Sequence, residues 1–369
     1  MFPDALRKAA EMLGSGLGEP PLGTPEFGDP RYRPVEFDLA HFRPIKDGGP
    51  HHSLGFVDGG NREILHAPDF SVQLVRVCSV LFRDGERAAR RRIPGLAEFL
   101  CIARAQPVDG RIVYNAAIVP VRQASAAFLP DPAWLTIDPH DERLAPGRFR
   151  LDISVVGAAA RRFSEWLVLS ELIERELEPG DIAVRDGTLQ TAVRHEAEVA
   201  SRAFSAAAEN GAILTALAKT SQLLTSSGVS LLAAVEELSR RTGLGGGRWF
   251  YHPLVKNDHP EPRAELYACR LHPQARNVFR LEILRDQAQG MSAQQVADLM
   301  GELAANSRDL SFPGYPFGLV VADETARVRR GEKEALAAML SSALAEKGWW
   351  KAVQRHLSAT DAHDILDEI

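Results

Sequence analysis

The chain contains no apolar run approaching the roughly 20 residues that a membrane-spanning helix requires. Its first 30 residues lack the apolar core of a secretion signal. Together these absences predict a cytoplasmic protein. Cysteine is scarce: Cys78, Cys101 and Cys269 stand far apart in apolar settings. They read as three buried thiols and exclude a disulfide scaffold or a cysteine-built zinc site. The histidines form no zinc spacing either. His51-His52, His252, His259 and His272 sit beside prolines or polar residues and read as surface histidines. No Gly-x-x-x-x-Gly-Lys-Ser/Thr loop is present, so the chain carries no P-loop ATPase of its own. Gly243-Leu244-Gly245-Gly246-Gly247 lacks the lysine and follows a helical pattern, so it reads as a hinge. No Gly-x-Ser-x-Gly elbow appears. An excess of positive charge is also missing, since the formal net charge is -6. That balance does not advertise nucleic-acid binding, but a cationic surface can be confined to one channel. Arg90-Arg91-Arg92, Arg240-Arg241 and Arg327-Val328-Arg329-Arg330 are local basic clusters, and each alone reads as a solvated face.

What is present is an ordinary globular composition, 45% hydrophobic and 25% charged over 369 residues. That length holds one large α/β domain or two smaller ones. Residues 3 to 13 space their apolar positions for a short helix, and residues 15 to 52 are Gly- and Pro-rich and read as an extended arm. Residues 69 to 120 alternate apolar and polar positions around Asp84-Gly85 and Asp109-Gly110, which are hairpin signals. From about 150 the pattern changes. A helix to about 177 is stopped by Pro179-Gly180. Strand then alternates with helix: a strand to Asp186, a helix near 192 to 208, a strand to Lys219 and a helix near 227 to 241. Further strands are expected over 249 to 284, a helix near 292 to 306, a strand to Asp323 and a helix near 331 to 346. A meander followed by α/β units predicts a mixed sheet flanked by helices. The element order is that of a ribonuclease H-like fold with inserted antiparallel strands.

Four apolar runs end at a residue able to do chemistry: Asp58, Asp186, Lys219 and Asp323. Ligands gather at the carboxyl ends of buried parallel strands. Asp58-Gly59 alone reads equally as a turn or a site. Asp186-Gly187 repeats the pattern, and paired acids repel without a cation, so the pairing implies a divalent metal. All-oxygen ligands favour Mg²⁺ or Mn²⁺. The helix before Asp186 offers a further carboxylate. The strand from Asp181 to Asp186 covers about 17 Å. Glu165 lies about 21 Å back along the helix from Pro179 and Glu171 about 12 Å, while Glu174 would reach only the strand's middle. Glu165 is therefore favoured and Glu171 second, against a reading in which each is a solvated helical acid. Lys219 either reaches solvent or neutralises a phosphate. Tyr315 hydrogen-bonds a phosphate, orients Asp323, or simply packs. Arg327 and Arg329 are placed to grip a nucleic-acid backbone.

Phe56-Val57-Asp58-Gly59-Gly60-Asn61-Arg62, Ala183-Val184-Arg185-Asp186-Gly187-Thr188-Leu189, Leu217-Ala218-Lys219-Thr220-Ser221 and Tyr315-Pro316-Phe317-Gly318-Leu319-Val320-Val321-Ala322-Asp323 together resemble the NurA nuclease family. The chain departs from the commonest first motif at Gly60, where a serine is frequent. The resemblance covers roughly residues 50 to 330. It implies a ribonuclease H-like fold, a homodimer, Mn²⁺- or Mg²⁺-dependent DNase activity and a hexameric HerA-like ATPase as partner, in DNA end resection or phage defence. The resulting division is an N-terminal helix and arm (1–50), a nuclease domain (51–346) and a tail (347–369). The tail, with Trp349-Trp350 and the acidic residues 361–369, is a candidate partner surface. The expected chemistry is two-metal phosphodiester hydrolysis, with Asp58, Glu165, Asp186 and Asp323 as ligands and Lys219 and Tyr315 beside them. Two rivals remain: a non-catalytic DNA-binding or ATPase-adaptor protein on the same fold, and, ranked last, an actin-like or sugar-kinase ATPase.

Overall fold

A computed structural model describes the chain except residues 1, 17–21, 28–31, 48–51, 91, 143, 145–146, 148–149, 220, 222, 258–262 and 358–369. The N-terminal helix α1 (Phe2–Gly16) is exposed along its described side chains. The expected arm is woven into the body. Its strands β1 (Pro25–Glu26), β2 (Tyr32–Pro34) and β3 (Phe42–Pro44) pair with segments far along the chain.

The meander is β4 (Leu54–Ala67), β5 (Phe70–Arg83), the short β6 (Glu86–Ala88), β7 (Leu96–Val108) and β8 (Arg111–Pro120). Both hairpin signals turn the chain as Asp-Gly pairs should, with positive φ at Asp84, Gly85, Asp109 and Gly110. Helix α2 (Val155–Glu176) leads to β9 (Ile182–Asp186), and α3 (Glu196–Asn210) leads to β10 (Ile213–Ala218). β9 lies parallel to β4, and β10 lies parallel to β9. The central order β7-β5-β4-β9-β10 is three antiparallel strands with two more added parallel to the first, a ribonuclease H-like arrangement.

Beyond β10 the chain runs through β11 (Leu224–Thr225), α4 (Leu231–Arg241), β12 (Trp249–Tyr251), β13 (Val255–Asn257), β14 (Ala264–Arg270) and β15 (Phe279–Leu284). β15, β14, β12 and β3 extend the sheet past β10 in antiparallel pairings, giving eleven strands. Helices α5 (Arg285–Gly290), α6 (Ala293–Ala305), α7 (Phe317–Ala326), α8 (Arg330–Glu346) and α9 (Trp350–Leu357) complete the described chain. α9 occupies part of the expected tail, and Trp349 before it is 62% exposed. The acidic stretch 361–369 lies outside the described residues.

Period-two alternation sorts the sheet's side chains between two cores. Val57, Val75 and Ala183 pack with Phe163, Trp166 and Leu169 of α2. Phe56, Val80, Val184 and Leu217 pack with α6 and with Leu319 and Ala322 of α7. Cys78, Cys101 and Cys269 are buried and unbridged. No described helix is long and apolar enough to cross a membrane.

Two expectations fail locally. Residues 317–322 form the start of helix α7 and not a strand ending at Asp323. A short, wholly apolar run fits a buried strand or a buried helix equally well. Here the ends decide. Asn306 accepts the Phe317 N–H on its carbonyl (2.8 Å) and the Gly318 N–H on its side chain (2.9 Å). Pro316 opens the helix in an extended conformation and accepts from Leu319 and Val320. The helix then buries Leu319, Ala322 and Ala326 on one face. Asp58, for its part, does not end a strand. Gly59 and Gly60 are not in the left-handed region, and β4 continues through them, paired with Val77 and Arg76 of β5.

Candidate active site

Three carboxylates meet on the α7 side of the sheet. Asp58 comes from the middle of β4, Asp186 from the end of β9 and Asp323 from the second turn of α7. Each offers an oxygen, and these oxygens lie within 4.8 Å of one another. Lys219, just past β10, places its ammonium among them. Nζ is 2.8 Å from Asp186 Oδ2, 2.8 Å from Asp323 Oδ1 and 3.7 Å from Asp58 Oδ2. It also stands 5.4 Å from the centre of the Tyr315 ring. The Tyr315 hydroxyl donates to Asp186 Oδ1 at 2.9 Å, so the acid it orients is Asp186 and not Asp323. Gly59 N–H donates to Asp58 Oδ1 at 2.7 Å, and Arg327 pairs with Asp323 at 2.5 Å.

Burial and the charges of Asp186 and Glu165 push the Asp58 carboxyl up to about 8, with Lys219 acting in the opposite direction. Burial works against the Lys219 ammonium, but Asp186, Asp323 and Asp58 outweigh it and hold its pKa above the usual lysine range. Burial likewise works against the Asp323 carboxylate, yet Lys219 and Arg327 hold it below its ordinary value. Burial, then Asp186, raises the Tyr315 phenol.

Glu165 stands on the other face of the sheet, on α2, beneath Gly59. A Cβ at Gly59 would lie 2.7 Å from Glu165 Oε1, and one at Gly60 would lie 2.6 Å from the Ala326 carbonyl oxygen. The two glycines thus let α2 and α7 close on β4 from opposite sides. Glu165 is clamped by two arginines. Arg185 Nη2 lies 2.5 Å from Oε2, and Arg161 pairs with Oε1 while also donating to the Gly59 carbonyl at 3.2 Å. The other helical glutamates are engaged elsewhere: Glu171 with Arg175, Glu174 with Ser170, and Glu176 with the backbone of Arg92 and Ile93.

Sequence reasoning passed over two groups that hold the loop following Asp186. Arg185 is buried, lies 4.4 Å over the Trp166 ring and donates to the Thr188 carbonyl at 2.6 Å. Glu282 reaches from β15 to accept the Leu189 N–H at 2.7 Å. Both sit in otherwise apolar strands, and a charge in such a strand is the signal that would have found them. Asp58, Asp186, Asp323 and Glu165 are equalled in number by Lys219, Arg161, Arg185 and Arg327, but two of these cations sit on Glu165 while Asp58, Asp186 and Asp323 share Lys219.

No family model and no curated protein sequence matches the chain. Among solved structures, a variant Endonuclease V from Ciona intestinalis, in complex with DNA containing an inosine followed by a ribo-adenosine, aligns with 12% identity and a TM-score of 0.37, over 78% of this chain and 87% of its own. The catalytic domain of human Endonuclease V aligns with 13% identity and a TM-score of 0.35, over 78% and 89%. Argonaute from Aquifex aeolicus aligns with 11% identity and a TM-score of 0.30, over 75% of this chain and 28% of its own. At such distances the fold assignment rests on the strand order itself.

Proposed function

We propose that this chain is a Mn²⁺- or Mg²⁺-dependent deoxyribonuclease of the NurA type, hydrolysing phosphodiesters by two-metal chemistry. The observation that carries the reading is the meeting of buried Asp58 with the half-buried Asp186 and Asp323 within 4.8 Å. The donor set fits a hard divalent cation. It is all oxygen and partly buried, and burial, with the charges of Asp186 and Glu165, pushes Asp58 up to about 8 even with Lys219 present. Asp58, Asp186 and Asp323 would hold the metal; Glu165, on the other face of the sheet, would join them only on leaving both Arg161 and Arg185. When bound, the cations supply an activated water and charge stabilisation at the leaving 3′ oxygen. The Tyr315 hydroxyl fixes the orientation of Asp186. Lys219, displaced from the acids, neutralises charge on the scissile phosphate. The order of the four motifs also supports a homodimer acting with a HerA-like hexameric ATPase in DNA end processing or phage defence.

A non-catalytic adaptor on the same fold is the second reading, favoured by one feature: the charges of the site balance with Lys219 and the arginines alone. Incubating the purified protein with linear DNA and Mn²⁺ separates the two. The nuclease reading expects degradation that a chelator stops and Asp58→Ala abolishes. DNA left intact under all conditions, with binding retained, would establish the adaptor.

A further inference from the structure

β4 pairs with β5 along its length to Ala67, but with β9 only over Leu54–Val57. From Asp58 onward one edge of β4 therefore has no strand partner among the described residues. This open edge starts at the candidate active site and runs away from it between α2 and α8. A cavity of about 540 Å³ opens there, lined by Asn61, Arg62 and Gln73 from the sheet, Ser154 and Ala158 from α2 and its lead-in, and Lys333 from α8. Asn61 is three residues past Asp58, about 10 Å along the strand. That is roughly one or two nucleotides along a strand, whose successive phosphates stand further apart than the helical rise of about 3.4 Å.

The charges in this groove are not evenly committed. Glu63 and Asp152 also line it, but both face His66. Glu63 lies 2.8 Å from Nδ1 and also accepts from the Ser71 hydroxyl, and Asp152 lies 3.6 Å from Nε2. Arg62, by contrast, donates only to the Val328 carbonyl at 3.2 Å. Neither Arg62 nor Lys333 has a carboxylate partner among the described residues. Two uncommitted cations thus flank an open strand edge that is continuous with three acids built for a metal. The groove as a whole is charge-balanced, since Glu63 and Asp152 line it as well, but in a chain with a net charge of -6 its two cations are the groups left to meet an anion.

We propose that this groove is a subsite for the nucleic-acid strand flanking the scissile bond, with Lys333 and Arg62 on its phosphates and Asn61 on the adjacent sugar or base. This rests on the nuclease reading for its substrate class. The strand would lie along the open edge of β4, with the cleaved phosphate at Asp58 and the next one or two phosphates on the two cations. Phosphate contacts of this kind set register and affinity without reading sequence.

The test uses the full chain in an Asp186→Asn background, which blocks cleavage, and measures binding of fluorescent oligothymidylates of 3 and 12 nucleotides by anisotropy. Arg62→Glu and Lys333→Glu are introduced singly and together. Arg62 is exposed and Lys333 half-buried, and unchanged thermal midpoints verify folding. The proposal expects the double variant to weaken 12-mer binding at least tenfold. It also expects the logarithmic salt slope to fall by about 0.7 for each phosphate that is no longer neutralised, while 3-mer binding stays the same. Unchanged 12-mer affinity and slope would overturn it. The two readings fail separately. Wild-type protein that never cleaves but shows the predicted binding loss refutes the nuclease and leaves the groove. Cleavage abolished by Asp58→Ala, with 12-mer affinity and KM unaffected by the double variant, refutes the groove alone.

Discussion

Raising the pH from 5 to 9 while titrating Mn²⁺ probes the most unusual group in the site. Asp58 is buried beside Asp186 and Glu165, and its carboxyl is pushed up from 3.8 to about 8. Below that value the metal must displace a proton from Asp58 before it can use both oxygens. Apparent Mn²⁺ affinity therefore rises about tenfold per pH unit up to about pH 7.5 and levels off beyond 8. At pH 6 binding is about a hundredfold weaker than on the plateau. Isothermal titration in two buffers of different ionisation enthalpy counts the proton released, which should approach one per site below pH 7. The same group gives the metal-free protein a defined pH dependence. Its folded pKa lies above the unfolded value, so its contribution to stability is fully present below about 4 and is lost as pH rises through about 8. The metal-free thermal midpoint should thus fall between about pH 4 and 8 and level off above, and Mn²⁺ should reverse the fall. Asp58→Asn should remove both effects. A Mn²⁺ affinity independent of pH over 5 to 8, or no proton release, would refute the reasoning.

Three substitutions extend the account. Gly59→Ala sets a methyl 2.7 Å from Glu165 Oε1 and 3.0 Å from Arg161 Cγ; it should cost about 1–3 kcal/mol by urea unfolding and lower kcat by at least tenfold. Arg185→Met leaves the buried Glu165 with one arginine and releases the Thr188 carbonyl; a loss of about 3–5 kcal/mol is expected, and a loss below 1 kcal/mol would contradict the clamp. Lys219→Met removes the ammonium that sits among the three acids; Mn²⁺ should bind more tightly by calorimetry while kcat falls, and weaker binding would contradict the arrangement.

Much of this was legible in the residues because local chemistry and fold agree. The Asp-Gly pairs at 84–85 and 109–110 need positive φ and take it. Pro179-Gly180 stops a helix where no helix can continue. The run into Asp186 is a strand because apolar residues face both ways from it, toward α2 and toward α7. The run before Asp323 has the same apolar character but became a helix. What decided it was Asn306, a capping partner from a separate segment that periodicity cannot reveal. Asp58 looked like a strand end because Asp-Gly usually turns. The pairing of Gly59 and Gly60 with β5, a long-range contact, kept the strand going and created the open edge. Arg185 and Glu282 stayed hidden because each acts on the 188–189 loop through contacts that only the folded sheet creates.

The central claim is that Asp58, Asp186 and Asp323 hold a metal for phosphodiester hydrolysis. Its most direct measurement is the degradation of linear DNA by wild-type protein and by Asp58→Ala and Asp186→Ala, each with Mn²⁺ and with Mn²⁺ plus a chelator. The account predicts fragments from the wild type with Mn²⁺ only, and none from either folded variant. Undiminished cleavage by a folded Asp58→Ala protein, or cleavage that persists in the chelator, would contradict it.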